Sequence, residues 1–250
     1  MIATLPRLVA HRGYALRYPE NTLLALRAAV EAGAHYLEFD VLLSADKVPV
    51  LFHDRDLQRM CGRSGAIHDY SLAELKSFAV SEYGRFGYRF VHNPITTLAE
   101  AIEFLRQHPA VFAFVEIKRQ ALQRFGDDVV LQAILPMLEP VREQVIVISY
   151  SLEVLRATRE RSSFPIGAVF DDWRERKQML IQSLRPEYLF TDIEHLPRLG
   201  KLKHKQCQLA VYECTDPARA VQVHRRGVDL VETFAIADMQ ESFRLRTEWR

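Results

Sequence analysis

No stretch of this chain approaches the run of about 20 apolar residues that spans a bilayer, although 48% of its 250 residues are hydrophobic. That excludes a membrane-spanning protein, and because no amphipathic surface helix stands out, no stable membrane association is expected. Excess charge of either sign is also missing. Thirty-three Lys and Arg face 32 Asp and Glu, a formal net charge of +1. The chain therefore has no general field for nucleic acid, and any recognition of phosphate must be local. Cysteine is scarce: Cys61, Cys207 and Cys214 lack metal-ligand spacing and suit reduced, mostly buried thiols. Met1 to Leu8 contain no cationic start followed by a long apolar stretch, so no secretory signal is read and a cytoplasmic location is expected. Internal repeats, low-complexity tracts and flexible linkers are absent too, which leaves a single domain over residues 1–250.

What the chain does have is alternation. Nine short β-rich runs occur, at Leu8 to His11, Tyr36 to Leu43, Val48 to His53, Val111 to Lys118, Val145 to Tyr150, Ile166 to Phe170, Tyr188 to Asp192, Gln208 to Tyr212 and Val228 to Thr233. Between most of them lie helix patterns with start signals, among them Asn21-Thr22, Thr97 with Glu100, Ser151, and Asp216 followed by Pro217. Such alternation predicts a parallel sheet wrapped by helices. Only Ser44 to Lys47 separate the second and third runs, too few for a parallel crossover, so these two form an antiparallel hairpin. With the third run as a returning arm, eight strands remain, and the fold is an α/β (β/α)8 TIM barrel with a small insertion after that arm. A turn at Ala45 to Lys47 would place Glu38 opposite His53. The insertion, about residues 54–96, carries a capping-box pattern at Ser71 and Glu74 for a short helix through Phe78. Its Tyr83, Phe86, Tyr88 and Phe90 either form a lid over the barrel mouth or pack a small core of the insertion.

Active sites of these barrels lie at the C-terminal ends of the strands, so polar residues that end apolar strands are informative. One strand ends in His11-Arg12-Gly13, the next carries Glu38-Phe39-Asp40, and a third carries Glu116-Ile117-Lys118. Residues two apart share a face, which brings three carboxylates and one ammonium together. A divalent cation, Mg2+ or Ca2+, suits such a set of hard oxygen ligands better than zinc. Without metal, Glu38 and Glu116 would instead read as the acid and nucleophile of a glycosidase, which leaves His11, His53 and Lys118 without a part. Imidazoles titrate near ~6.5, so His11 and His53 suit proton transfer at neutral pH. Arg12 offers a forked donor for a phosphate, and Gly13 permits close backbone approach.

Taken in order, His11-Arg12-Gly13, Pro19-Glu20-Asn21-Thr22, Glu38-Phe39-Asp40, His53-Asp54 with Leu57 and Arg59, and Glu116-Ile117-Lys118 resemble the glycerophosphodiester phosphodiesterase family. The likeness continues through Gly62, Gly65 and Leu72-Ala73-Glu74-Leu75. It implies metal-dependent hydrolysis of small-molecule glycerophosphodiesters to glycerol 3-phosphate and an alcohol, with lysophospholipase D-like cleavage or a catalytically silent phosphate-binding barrel as rivals. By the same resemblance Glu38, Asp40 and Glu116 are metal ligands, His11 and His53 the general acid and base, and Arg12 and Lys118 phosphate contacts. Glu20 and Asn21 would shape the first loop and cap its helix. The C-terminal third departs from the pattern: Tyr212 and Thr215 stand where many members have Trp and Asn, and Thr233-Phe234 replaces Thr-Asp. Tyr212 is then either a substitute aromatic platform for substrate or a packing residue.

Overall fold

The computed structural model describes residues 5–202 and 207–248, with side chains to residue 245. Met1 to Thr4, half of the stretch read as lacking a secretory signal, lie outside the described residues. The strands are β1 (Arg7–Ala10), β2 (Tyr36–Leu43), β3 (Pro49–Leu51), β4 (Phe112–Ile117), β5 (Val145–Ser149), β6 (Ile166–Phe170), β7 (Tyr188–Asp192), β8 (Gln208–Tyr212) and β9 (Leu230–Thr233). Each of the nine falls on a run named above. Eight of them are parallel, and pairing of β1 with both β2 and β9 closes the ring, so the chain is a (β/α)8 barrel.

Helices fill the crossovers: α1 (Leu23–Glu31), then the four-residue α2 (Gln58–Cys61), α3 (Leu72–Leu75) and α4 (Tyr83–Phe86), then α5 (Leu98–Gln107), α6 (Arg119–Phe125), α7 (Asp127–Leu138), α8 (Leu152–Arg161), α9 (Met179–Leu184), α10 (Pro217–Arg225) and α11 (Ile236–Glu248). None of those described is long and apolar enough to cross a membrane. Local chemistry explains where they begin. Thr22 Oγ1 accepts from Ala25 N at 3.2 Å, Thr97 and Glu100 make a reciprocal capping box, and Asp216 caps α10 ahead of Pro217.

Strand periodicity sorts side chains into two apolar layers. Val9, Phe114, Ile146, Ile148, Val169, Phe190, Ala210 and Leu230 fill the barrel interior, and the intervening residues pack outward against the helices. Two residues beyond an interior position, toward the C-terminal end, the same face reaches the barrel mouth. Val9 therefore predicts His11, Phe114 predicts Glu116, and Leu230 predicts Glu232 at the mouth.

The hairpin forms as expected, but its register is shifted by one residue. Leu43 pairs with Pro49 and Val41 with Leu51, so His53 does not fall opposite Glu38; Asp40 falls opposite Phe52, whose N donates to Asp40 O at 3.0 Å. The turn is longer than Ala45 to Lys47. Ser44 N donates to Val48 O at 3.0 Å, Ser44 Oγ bonds both Asp46 Oδ1 and Val48 N, and Lys47 takes a left-handed φ of 62° to close it.

The insertion begins α3 with the Ser71–Glu74 capping box, but that helix ends at Leu75 instead of continuing to Phe78. Its buried bulk is aliphatic: Leu57, Met60, Ile67, Leu75, Val80 and Ile95 join the same cluster as the outer face of the barrel. Of Tyr83, Phe86, Tyr88 and Phe90 only Phe90 is buried, against Tyr18 and Phe86, while Tyr83 and Tyr88 are exposed and meet edge to face at 4.9 Å. Burial pushes the Cys61 thiol up to about 12 and also raises that of Cys214, which keeps both protonated at neutral pH.

Candidate active site

A cavity of ≈ 390 Å³ opens at the C-terminal ends of the strands. Glu38, Asp40 and Glu116 stand beside it, buried, each offering one oxygen within 4.8 Å of the other two. The cause is register: Asp40 pairs with Glu116 across the parallel β2–β4 ladder, and Glu38 lies two residues back on the same face. Asn21 fixes Asp40 at both ends. Its amide donates to Asp40 Oδ2 at 2.8 Å and its carbonyl oxygen accepts from Asp40 N at 3.0 Å. Asn21 thus braces a carboxylate instead of capping α1, a role that falls to Thr22 alone.

Arg12 takes a left-handed φ of 55°, which turns its N–H onto Glu38 Oε2 at 3.0 Å. Gly13 follows at φ 82°, where an added Cβ would sit 2.7 Å from the Ala25 carbonyl carbon; only glycine allows the loop this close to α1. The Arg12 guanidinium lies 3.3 Å from Asp40 Oδ2 and donates to Glu20 Oε1 at 3.0 Å. Glu20 accepts also from Arg59 at 2.7 Å, and Arg59 grips Asp54, whose Oδ1 is 2.8 Å from His53 Nδ1. One ion-pair chain thus ties the first loop to the hairpin arm. Lys118 Nζ bridges Glu116 at 2.9 Å and Asp40 at 3.1 Å, leaving its third proton for another acceptor.

His11 meets a carboxylate in the same way. Its Nδ1 is 3.2 Å from Glu213 Oε2, so Nε2 faces Glu38 and Glu232 at 3.8 and 4.0 Å. Phe234 stacks on the imidazole at 4.7 Å and 11°, fixing its plane. The departure of Phe234 from the pattern therefore has a structural part. Tyr212 lines the cavity with its ring, while its hydroxyl is committed to Tyr150, Phe170 O and Asp171.

Charge in this pocket is unbalanced. Four buried carboxylates, Glu38, Asp40, Glu116 and Glu232, lie against only two cations that pair with them, Arg12 and Lys118, while Arg119 on the cavity wall pairs with none of the four. Burial would raise Asp40, but the Lys118 and Arg12 charges outweigh it and hold the group well below the usual carboxylate range. Glu38 is pushed well above that range by burial, then by repulsion from Asp40 and Glu232; Glu232 is raised the same way, and Glu116 is raised by burial despite Lys118. Burial likewise lowers His11, with Arg12 adding to it, so its imidazole is neutral at pH 7. Glu38 Oε1 and Glu232 Oε1 are buried without a hydrogen-bond partner. Acceptors left open in a pocket with excess negative charge, all of them hard oxygens, fit a divalent cation.

Residues 11–233 match the family model described as "Glycerophosphoryl diester phosphodiesterase family". The chain belongs to this family. With that membership it is a phosphodiester hydrolase, in a family generally dependent on divalent metal. A glycerophosphodiester phosphodiesterase of Caldanaerobacter subterraneus subsp. tengcongensis is 29% identical over 187 residues, covering 72% of this chain and 75% of that protein. Glycerophosphodiester phosphodiesterase 1 of Mus musculus is 36% identical over 105 residues, 42% of this chain but 32% of the mouse protein. Among solved structures, an Oleispira antarctica phosphodiesterase in complex with the product sn-glycerol-3-phosphate superposes with a TM-score of 0.84 at 25% identity, covering 96% of this chain and 97% of that one.

In this glycerophosphodiester phosphodiesterase the motif residues converge: His11, Arg12, Glu38, His53, Glu116, Lys118 and Tyr212 all line one cavity, with Asp40 just behind. Among the described residues, none from 54–96 lines it. Sequence reasoning missed Glu213 and Glu232. For Glu232 a signal existed, since interior Leu230 lies two residues earlier on the same face. Glu213 has no such signal, because it follows the end of β8 in a loop.

Proposed function

We propose that this glycerophosphodiester phosphodiesterase hydrolyses glycerophosphodiesters to glycerol 3-phosphate and an alcohol, with Glu38, Asp40 and Glu116 holding Mg2+ or Ca2+ and His11 and His53 moving the protons. The observation that carries the reading is the meeting of three carboxylates, two imidazoles, a guanidinium and an ammonium around one cavity. A divalent cation there supplies polarisation of the non-bridging phosphate oxygens. Arg12 and Lys118 offset the charge that grows toward the pentacoordinate transition state, held by Glu20, Asp40 and Glu116 so that little reorganisation is needed.

Each histidine bonds a carboxylate through Nδ1, Glu213 for His11 and Asp54 for His53, which leaves both Nε2 atoms for the substrate. One Nε2 takes the proton of the attacking oxygen and the other returns a proton to the departing alkoxide. The 2-hydroxyl of the bound glycerol is the favoured nucleophile, since an oxygen already held in the same molecule has a large proximity advantage over water. The test is release of glycerol 3-phosphate from several headgroup diesters, with saturating Mg2+ or Ca2+ and after exhaustive chelation. Turnover that depends on the cation supports the reading. Full activity of the chelated protein would refute metal dependence, and no turnover of any diester would refute the substrate class.

A further inference from the structure

The barrel mouth divides into two unlike arcs. From β9 through β1 and β2 to β4 it presents Glu232, His11, Arg12, Glu38, Asp40, Glu116 and Lys118, all charged or titratable. From β5 to β8 the lining is Ile148, Tyr150, Val169, Phe190 and Tyr212, and α6 adds Arg119, Gln120 and Gln123. Three carboxylates end or directly follow strands on this second arc, and each is already engaged: Glu213 meets His11 Nδ1 at 3.2 Å. Asp171 accepts from the Tyr150 and Tyr212 hydroxyls at 3.0 and 3.1 Å, and Asp192 accepts from Glu194 N at 2.7 Å.

Arg119 therefore differs from every other cation of the pocket. Arg12 and Lys118 are neutralised by two carboxylates each. Arg119 has no carboxylate within ion-pair distance among the described residues, and its guanidinium carbon lies over the Tyr150 ring, 4.6 Å from the centroid. Tyr150 is itself locked, its hydroxyl bonded to Tyr212 at 2.8 Å as well as to Asp171. A long side chain is thus held in place at the cavity wall with its charge unspent, and little ordering is left to be done when an anion arrives. The same guanidinium occupies the aromatic face that would otherwise attract a quaternary ammonium.

Resting on the hydrolase reading above, we infer that Arg119 selects diesters whose alcohol carries an anionic group, a carboxylate or a second phosphate. With the phosphate at Arg12 and Lys118, the glycerol hydroxyls find acceptors in the carboxylate arc, where Glu232 Oε1 has no partner. The alcohol is left to the second arc, where Arg119 supplies, among the described residues, the one uncommitted charge and Gln120 and Gln123 add neutral amides.

Glycerophosphoserine and glycerophosphoethanolamine differ only by one carboxylate and so isolate the effect. With cation in excess over substrate, kcat/KM for the serine diester should exceed that for the ethanolamine diester roughly tenfold, the size of one charge-assisted hydrogen bond. The ratio should fall to near one in Arg119→Gln and be partly kept in Arg119→Lys. Equal wild-type values, a preference for ethanolamine or choline, or a serine preference unchanged in Arg119→Gln would each overturn the inference. Calorimetric binding of O-phosphoserine against O-phosphoethanolamine reads the same ratio without turnover. Failure of the hydrolase reading, seen as no cleavage of either diester, is thereby separated from failure of Arg119 selection, seen as equal binding of the two monoesters.

Discussion

Removing the divalent cation should make stability fall as pH rises, and the sign follows from the buried carboxylates. Glu38, Glu116 and Glu232 have folded-state pKa values raised by burial and mutual repulsion. Between the ordinary carboxylate value near ~4.3 and the raised one, the folded protein binds more protons than the unfolded chain, so stability drops with each step upward in pH. Glu213, pushed up to about 8 by burial, adds in the same direction. Asp40 stays ionised throughout, because its lowered value is crossed only in strong acid. His11 opposes the trend only near and below ~6.5, where its lowered value makes the folded protein resist a proton that the unfolded chain takes. One net carboxyl costs about 1.4 kcal/mol per pH unit, hence about 2.7 kcal/mol from pH 6 to 8. For a chain of this length that is roughly 5–10 °C in Tm. Differential scanning fluorimetry of chelated protein should show this fall, and Mg2+ or Ca2+ at about 100 times Kd should restore a similar amount at pH 8. A flat or rising Tm from pH 6 to 8, or no response to either cation, would refute the charge-imbalance argument.

Four other outcomes are expected. Glu38→Gln, Asp40→Asn and Glu116→Gln each keep shape but lose a negative ligand, so cation affinity measured by calorimetry should drop and activity with it; unchanged affinity in all three would remove the metal site. His11→Ala and His53→Ala should each lower kcat by roughly 10²-fold or more with cation binding nearly intact, and a single variant with wild-type kcat would leave that imidazole a structural part. Glu213→Gln should lower kcat about tenfold with KM little changed at pH 9, above the value of about 8 at which Glu213 ionises, because an amide orients His11 but does not stabilise its charged form; an equal loss in KM would point to general distortion of the pocket. A glycerol diester lacking only the 2-hydroxyl should bind but resist cleavage, and turnover near that of the parent would establish water as the nucleophile.

Period and spacing alone carried much of this protein. The nine strands, the closed eight, the returning arm and the helix starts at Thr22, Thr97 and Asp216 all follow from local patterning, since an apolar run, a short connection or a capping oxygen acts within a few residues. The motif residues too were legible, because strand ends in this barrel converge by construction. What only tertiary structure decided are matters of register and of partners distant in the chain. The hairpin slip turned on hydrogen bonds inside the Ser44–Val48 turn. Asn21 grips Asp40, Glu20 links Arg12 to Arg59, and Glu213 and Phe234 hold His11 from the far end of the sequence. Nor does spacing show that Arg119, adjacent to Lys118, rests on Tyr150 with no carboxylate of the described residues beside it. Burial sets the strength of each such charge contact, and burial is decided only when the ring of strands has closed.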